Sequence, residues 1–233
     1  MTPRSLAAAV ILSALLSGAA IASDAARPDA EIDAIANAWA HVNYEIKDPH
    51  AEAAEAQKLA VRADAASRQF PGRAEFLALE ALALLSEADA KHDLRSLELA
   101  RTAKHLLERA ARIDPNALGP GSIYANLGSL YAQVPGFPLG FGDQGKAKVN
   151  FDRALAANPN GLDANYFYAD FLYRQGETAK AVNALEKALV APPRPGRDLA
   201  DRGRKWEASE LLAKIRRKPH DAGGNVARRD GGA

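Results

Sequence analysis

Apolar residues recur along this chain every three or four positions, the helical pattern, with no period-two clusters of isoleucine, valine and threonine. Ile32, Ile35, Trp39, Val42 and Ile46 predict a helix over residues 31–47, ended by Asp48-Pro49. An alanine-rich helix follows over 51–70 and stops before Pro71-Gly72. Over 73–88, Phe76, Leu77, Leu79, Leu82, Leu84 and Leu85 make an apolar face broad enough to be buried on more than one side. A further helix spans 94–113, and Asp114-Pro115 closes it because proline disfavours helix at the residue before it. The stiff connector Pro192-Pro-Arg-Pro195 precedes a last helix over 198–216, carrying Trp206, Leu211, Leu212 and Ile215, which is expected to cap the open end of the stack.

Between these lies a repeat. Tyr124, Leu127, Gly128 and Tyr131 stand at the spacing W-x2-L-G-x2-Y, and Ala147, Phe151, Ala154 and Pro159 at A-x3-F-x2-A-x4-P. Pro135-Gly-Phe-Pro-Leu-Gly-Phe-Gly-Asp143 separates the two halves. Ala169, Leu172, Gly176, Ala181, Leu185, Ala188 and Pro193 repeat the small, large, turn and closing positions, and Ala103, Leu107, Ala110 and Pro115 echo the second half. Two short antiparallel helices cannot bury their apolar faces alone. Small residues let backbones approach, and large ones fill the gaps between adjacent pairs.

On these residues the chain resembles tetratricopeptide repeat proteins. The resemblance covers Tyr124–Pro159, Asn165–Pro193 and, more loosely, Arg73–Pro115. The segments Leu130–Asp143 and Gly161–Leu172 are also similar to the T-component proteins associated with TRAP transporters. That resemblance implies a periplasmic helical-repeat protein, an apolar ligand cavity and a substrate-binding protein as partner. Members of that family are often lipoproteins, and this chain has no cysteine to carry the lipid. The expected fold is all-α: a superhelical stack of antiparallel helix pairs over residues 29–215, with a Pro/Gly/Phe loop inserted in the central repeat.

The ends of the chain read differently. Arg4, the apolar run Leu6–Leu16 and Ala20-Ile-Ala22 have the pattern of a secretory signal peptide, with cleavage expected after Ala22. Its apolar core is short for a membrane span of about 20 residues. Residues 216–233 mix arginine with glycine and read as a solvated basic tail. The formal charge of +1 falls to zero once Arg4 is removed, so no basic field remains to attract nucleic acid. The absence of cysteine excludes disulfides, thiolate chemistry and a lipobox anchor. The expected location is periplasmic or secreted, without stable membrane insertion.

The chemistry-bearing patterns are sparse. Gly140-Phe-Gly142-Asp-Gln-Gly145 matches G-x-G-x-x-G literally, but Pro135 and Pro138 stand where a dinucleotide site needs a strand. Asp143 is placed instead to cap the following helix. His41, His50, His92, His105 and His220 form no H-E-x-x-H, and no G-x-S-x-G elbow occurs, so no catalysis, cofactor or metal is expected. The aromatics are more informative. Phe137 and Phe141 in the inserted loop either plug an apolar gap or line a pocket. By the repeat register, Asp163, Tyr166, Asp170, Tyr173 and Arg174 face the concave side, and Ser122, Ala125, Ser129, Ala132 and Gln133 leave room opposite. Phe137, Phe141, Tyr166, Asp170, Tyr173 and Arg174 are therefore the candidate contact residues, tyrosine and arginine being frequent binding anchors. The leading expectation is a non-catalytic binding protein that takes a protein segment or a small apolar ligand into its groove. The alternative is an envelope scaffold whose groove is filled by its own loop.

Overall fold

The computed structural model describes residues 27–93 and 95–217, and among these it is all-helical. The elements are α1 (Pro28–Glu45), α2 (Pro49–Gln69), α3 (Ala74–Lys91), α4 (Ser96–Ile113), α5 (Ser122–Gln133), α6 (Gln144–Ala157), α7 (Leu162–Arg174), α8 (Thr178–Leu189) and α9 (Asp198–Arg217). The leader expected over 1–22 and the tail beyond Arg217 lie outside the described residues.

Local chemistry sets the ends of these helices. Pro28 and Pro49 occupy first-turn positions, where their missing N–H costs nothing. Asp48 caps α2, its carboxylate accepting from the Ala51 N–H at 2.7 Å. Asp143 caps α6 in the same way, accepting from Lys146 N–H at 2.9 Å. Asp114 accepts from the Asn116 N–H at 2.9 Å as the chain leaves α4.

Consecutive helices pack as antiparallel pairs, and α1 with α3, α5 with α7, and α7 with α9 pack as second neighbours along the stack. The repeat motif explains the tightest approach. A Cβ placed on Gly128 would lie 2.8 Å from the Phe151 ring, so only glycine lets α5 close on α6. Phe151 is fully buried and meets Phe171 of α7 at 5.3 Å and Tyr168 at 5.7 Å, which carries the packing from one pair into the next. Ala103, Ala147, Ala154, Ala169, Ala181 and Ala188 are all completely inaccessible.

Two features depart from a plain stack. The α4–α5 connection passes through Leu118 at φ 62°, a left-handed conformation that costs a leucine energy. Leu118 packs against both the α1–α3 cluster and the α3–α5 cluster, so burial on two sides holds it there. The second feature is α9. The expected cap on the open end instead packs on α7, α8 and also on α1. The last helix thereby meets the first, and the superhelix closes on itself. α9 runs one residue past the helix expected over 198–216, into the stretch also read as tail, and Arg216 donates to Glu186 of α8 at 3.0 Å.

Candidate functional site

Closure leaves an open cavity of about 920 Å³ on the inner faces of the stack. Side chains of the odd-numbered helices line it: Trp39 and Asn43 of α1; Leu82, Leu85 and Ser86 of α3; Asn126, Ser129 and Gln133 of α5; Tyr166, Phe167, Asp170 and Arg174 of α7; Arg204 and Glu207 of α9. Glu52 at the start of α2, Asp89 near the end of α3, His92, Asp93 and Ser96 at the α3–α4 junction, and Leu97 and Ala100 of α4 also line it. The volume lies in the range typical of ligand pockets. An adjoining hollow of about 40 Å³ shares Trp39, Leu82, Asn126, Phe167 and Arg204 and ends on Arg194 and Arg197.

The α7–α9 side is an ion-pair lattice. Asp163 accepts from Arg194 Nη1 at 2.5 Å and from Arg204 Nε at 2.8 Å. Arg194 also reaches Asp201 at 2.6 Å, and Arg204 Nη1 donates to Glu207 at 2.6 Å. Arg204 is only 7% exposed, and its guanidinium lies 4.8 Å from the centre of the Tyr166 ring and 4.4 Å from that of Phe167. Burial alone would push the Asp163 carboxyl upward, but Arg204 and Arg194 outweigh it and hold it below the usual carboxylate range. For Glu207 burial wins over Arg204, and its carboxyl is raised. Burial, with Glu207 beside it, pushes the Tyr166 phenol up to about 12. The lattice ties α7, the connector and α9 together. Gly203 lets α9 approach α1: a Cβ there would collide with the Tyr44 ring.

The facing wall is less satisfied. Trp39 Nε1 donates to Ser86 Oγ at 3.0 Å, which fixes the indole against α3. Asp93 accepts from the N–H groups of Arg95 and Ser96 at 2.8 and 3.1 Å and so serves the start of α4. The Glu52 side chain makes no hydrogen bond or ion pair among the described residues, and burial together with Asp89 raises its carboxyl. The Asp89 carboxylate lies 3.9 Å from His92 Nε2.

The sequence-based candidates separate cleanly in space. Tyr166, Asp170 and Arg174 line the cavity, and Arg174 Nε donates to Asp170 at 2.8 Å. Tyr173, expected beside them, packs on the α6–α9 core with Lys214 5.8 Å from its ring centre. Phe141 plugs a gap between pairs, edge-on to Tyr131 at 5.9 Å with Lys104 5.2 Å from its centre. Phe137 neither plugs nor lines: it is 94% exposed, beside Leu139 at 73%. The loop reaches the cavity only through Val134 and Pro135, at its start. Of the small α5 residues, Ser129 and Gln133 face the cavity, Ser122 faces the smaller hollow, and Ala125 and Ala132 pack into the core. Sequence reasoning missed Trp39, Asn43, Glu52, Ser86, Asp89, Phe167, Arg204 and Glu207. Trp39 and Asn43 stand four apart on one helix face, a visible spacing, but nothing local shows that this face looks across at α7 and α9.

Paired antiparallel helices in a curved stack, with the inner helices lining one cavity, are the architecture of an α-solenoid. The tetratricopeptide repeat family model matches residues 139–195, which cover the end of the inserted loop, α6, α7 and α8, and this supports a tetratricopeptide repeat protein, a module for protein interaction. No curated protein matches the chain. Among the described residues, no helix is long and apolar enough to cross a membrane.

Proposed function

We propose that this protein is a non-catalytic capture module that takes a segment of a partner protein into its central cavity. The observation that carries this reading is the closed ring itself. The core is complete without Asn43, Asn126, Ser129 and Gln133, yet these polar groups stand together with Trp39 and Phe167 around open space. Amide and hydroxyl groups beside aromatic faces suit a peptide, whose backbone asks for hydrogen bonds and whose side chains ask for apolar contact. Tyr166, Asp170 and Arg174 belong to the contact surface in this reading, and Phe137 and Phe141 do not. The leader pattern before Ala22 supports action in the periplasm, and the likeness of residues 130–143 and 161–172 to TRAP T-components supports a substrate-binding protein as partner. A scaffold with a groove filled by its own loop is not favoured, because the loop tip points to solvent and the cavity is open.

A random peptide library panned on the folded protein tests this. Clones that bind the protein but lose Ser129→Trp and Gln133→Trp variants, which fill the cavity from α5, are expected. Trp39 gives a second readout. In a Trp206→Phe background it is the sole indole, and its emission should shift when such a peptide enters. Peptide binding that ignores both α5 variants and leaves Trp39 unchanged would remove the cavity as the site.

A further inference from the structure

The inserted loop is braced from within. The Gly142 N–H donates to the Pro135 carbonyl at 2.9 Å, and the Leu139 and Gly140 N–H groups both donate to the Gly136 carbonyl at 3.1 Å. The Asp143 N–H donates to the Tyr131 carbonyl at 2.9 Å and ties the loop's base to α5. A Cβ on Gly142 would collide with the Val134 carbonyl, so the turn accepts only glycine there. At the tip Phe137 and Leu139 stand almost bare, and residues 135–142 carry no charge. The bracing thus holds apolar area in water, a cost that contact with another surface removes. A groove of about 600 Å³ begins at the loop's base and lies between α4 and α6, over α5. Tyr124, Leu127 and Tyr131 of α5 line it, beside Val149 of α6, which is half exposed. Lys146 and Arg153 lie 5.5 and 5.6 Å from the ring centres of Tyr131 and Tyr124. The groove shares no lining residue with the central cavity.

We propose that this face pairs with a second copy of the chain, the tip of each copy lying in the α4–α6 groove of the other. Tip and groove meet at the loop's base, so one two-fold axis beside the loop serves both contacts at once. The chemistry matches: an uncharged apolar tip meets tyrosine and aliphatic side chains, and the face of the Phe137 ring suits the cations on the groove's rim. Each tip offers roughly 300 Å² of apolar surface, and equal area from the grooves brings the pair to about 1,200 Å², the lower bound of a specific interface. Anionic lipid suits the tip less well, because the ammonium groups beside the loop are already answered: Lys146 has Asp143 at 3.9 Å and Lys104 has Glu108 at 3.8 Å.

Sedimentation velocity on the purified protein tests this. A concentration-dependent monomer–dimer equilibrium with a micromolar Kd is expected. Phe137→Ser/Leu139→Ser in the tip and Val149→Lys in the groove should each weaken pairing by about tenfold or more, with helicity unchanged because all three side chains are exposed. A tip variant paired with a groove variant keeps one sound tip-in-groove contact, whereas neither variant paired with itself keeps any. An equimolar mixture of the two should therefore pair more strongly than either alone. A protein that stays monomeric at millimolar concentration overturns the proposal, and so does a dimer indifferent to the tip variant. Pairing lost in both variants and not recovered on mixing sets tip against tip and overturns the groove assignment. A monomer that floats with phosphatidylethanolamine/phosphatidylglycerol vesicles, and stops doing so in the tip variant, makes the tip a lipid contact and overturns pairing. Each of these results is independent of peptide capture, which is read at Ser129 and Gln133 on the inner face.

Discussion

Along α7 and α9, Asp163, Asp170, Asp201 and Glu207 each meet a guanidinium; across the cavity, Glu52 and Asp89 do not. The residue types are the same and their uses are opposite. Carboxylates on the first wall join helices, because Asp163 and Arg204 lie on different elements and each is costly to bury without the other. On the second wall Asp93 serves the start of α4 and Asp89 lies 3.9 Å from His92, while the Glu52 side chain joins no other helix.

Removing a partner on the saturated wall should have the largest effect. Arg204→Met leaves Glu207 without its guanidinium and Asp163 with one of two, and should cost about 3–5 kcal/mol, read as a lower urea midpoint. A midpoint shift below a quarter of that would mean the lattice is not what closes the ring. Gly203→Ala comes next. Helix propensity favours alanine, but the new methyl group must displace the Tyr44 ring, so a net loss of about 1 kcal/mol is expected, with the α1–α9 contact loosened in hydrogen exchange.

An acid outside both walls gives the reference case. Burial and Asp64 raise Glu80 to about 7 against Arg109 and Arg68. The native state then binds more protons than the unfolded chain between about pH 4.3 and that value, so stability falls as pH rises through the window. Glu80→Gln should stabilise by about 1 kcal/mol at pH 8, after discounting for partial exposure, and by nothing at pH 4. Glu52→Gln should follow the same sign with a smaller gain, since Glu52 is also raised by burial and by Asp89. Asp163 has the opposite sign: its carboxyl is depressed, so its contribution is full above about pH 4 and lost only as pH falls through the lowered value. If Glu52→Gln instead destabilised as Arg204→Met does, the contrast between the walls would be false. The smallest effect belongs to Phe137→Ala, expected within about 0.5 kcal/mol because the ring touches little.

Much of the frame is legible in the residues. Gly128 and Phe151 are spaced for helices that nest, and the nesting follows: no other residue at 128 would clear the ring. Asp143 announces a helix start after a Pro/Gly loop and caps one. Tyr166, Asp170 and Arg174 were readable as concave-facing because register on a short helix is local geometry. Tyr173 was not, since it packs on the α6–α9 core, with Lys214 of α9 5.8 Å from its ring centre. Phe137 and Phe141 sit four apart in one loop and part ways because the backbone there folds on itself: the Gly142 N–H donates to the Pro135 carbonyl at 2.9 Å, and the segment turns one ring inward and the other outward.

Periodicity, small residues and proline stops act within a turn or two of the chain, and so the sequence by itself determined the helices, their pairing and the loop that interrupts the central pair. Ring closure was decided elsewhere. It depends on Arg204 finding Asp163, forty-one positions away, and on Gly203 meeting Tyr44 of the first helix. Those encounters depend on the small rotation added by every pair in the stack, a sum that no single stretch of residues contains. The cavity exists because that sum returns the last helix to the first and leaves the inner faces looking at one another across open space.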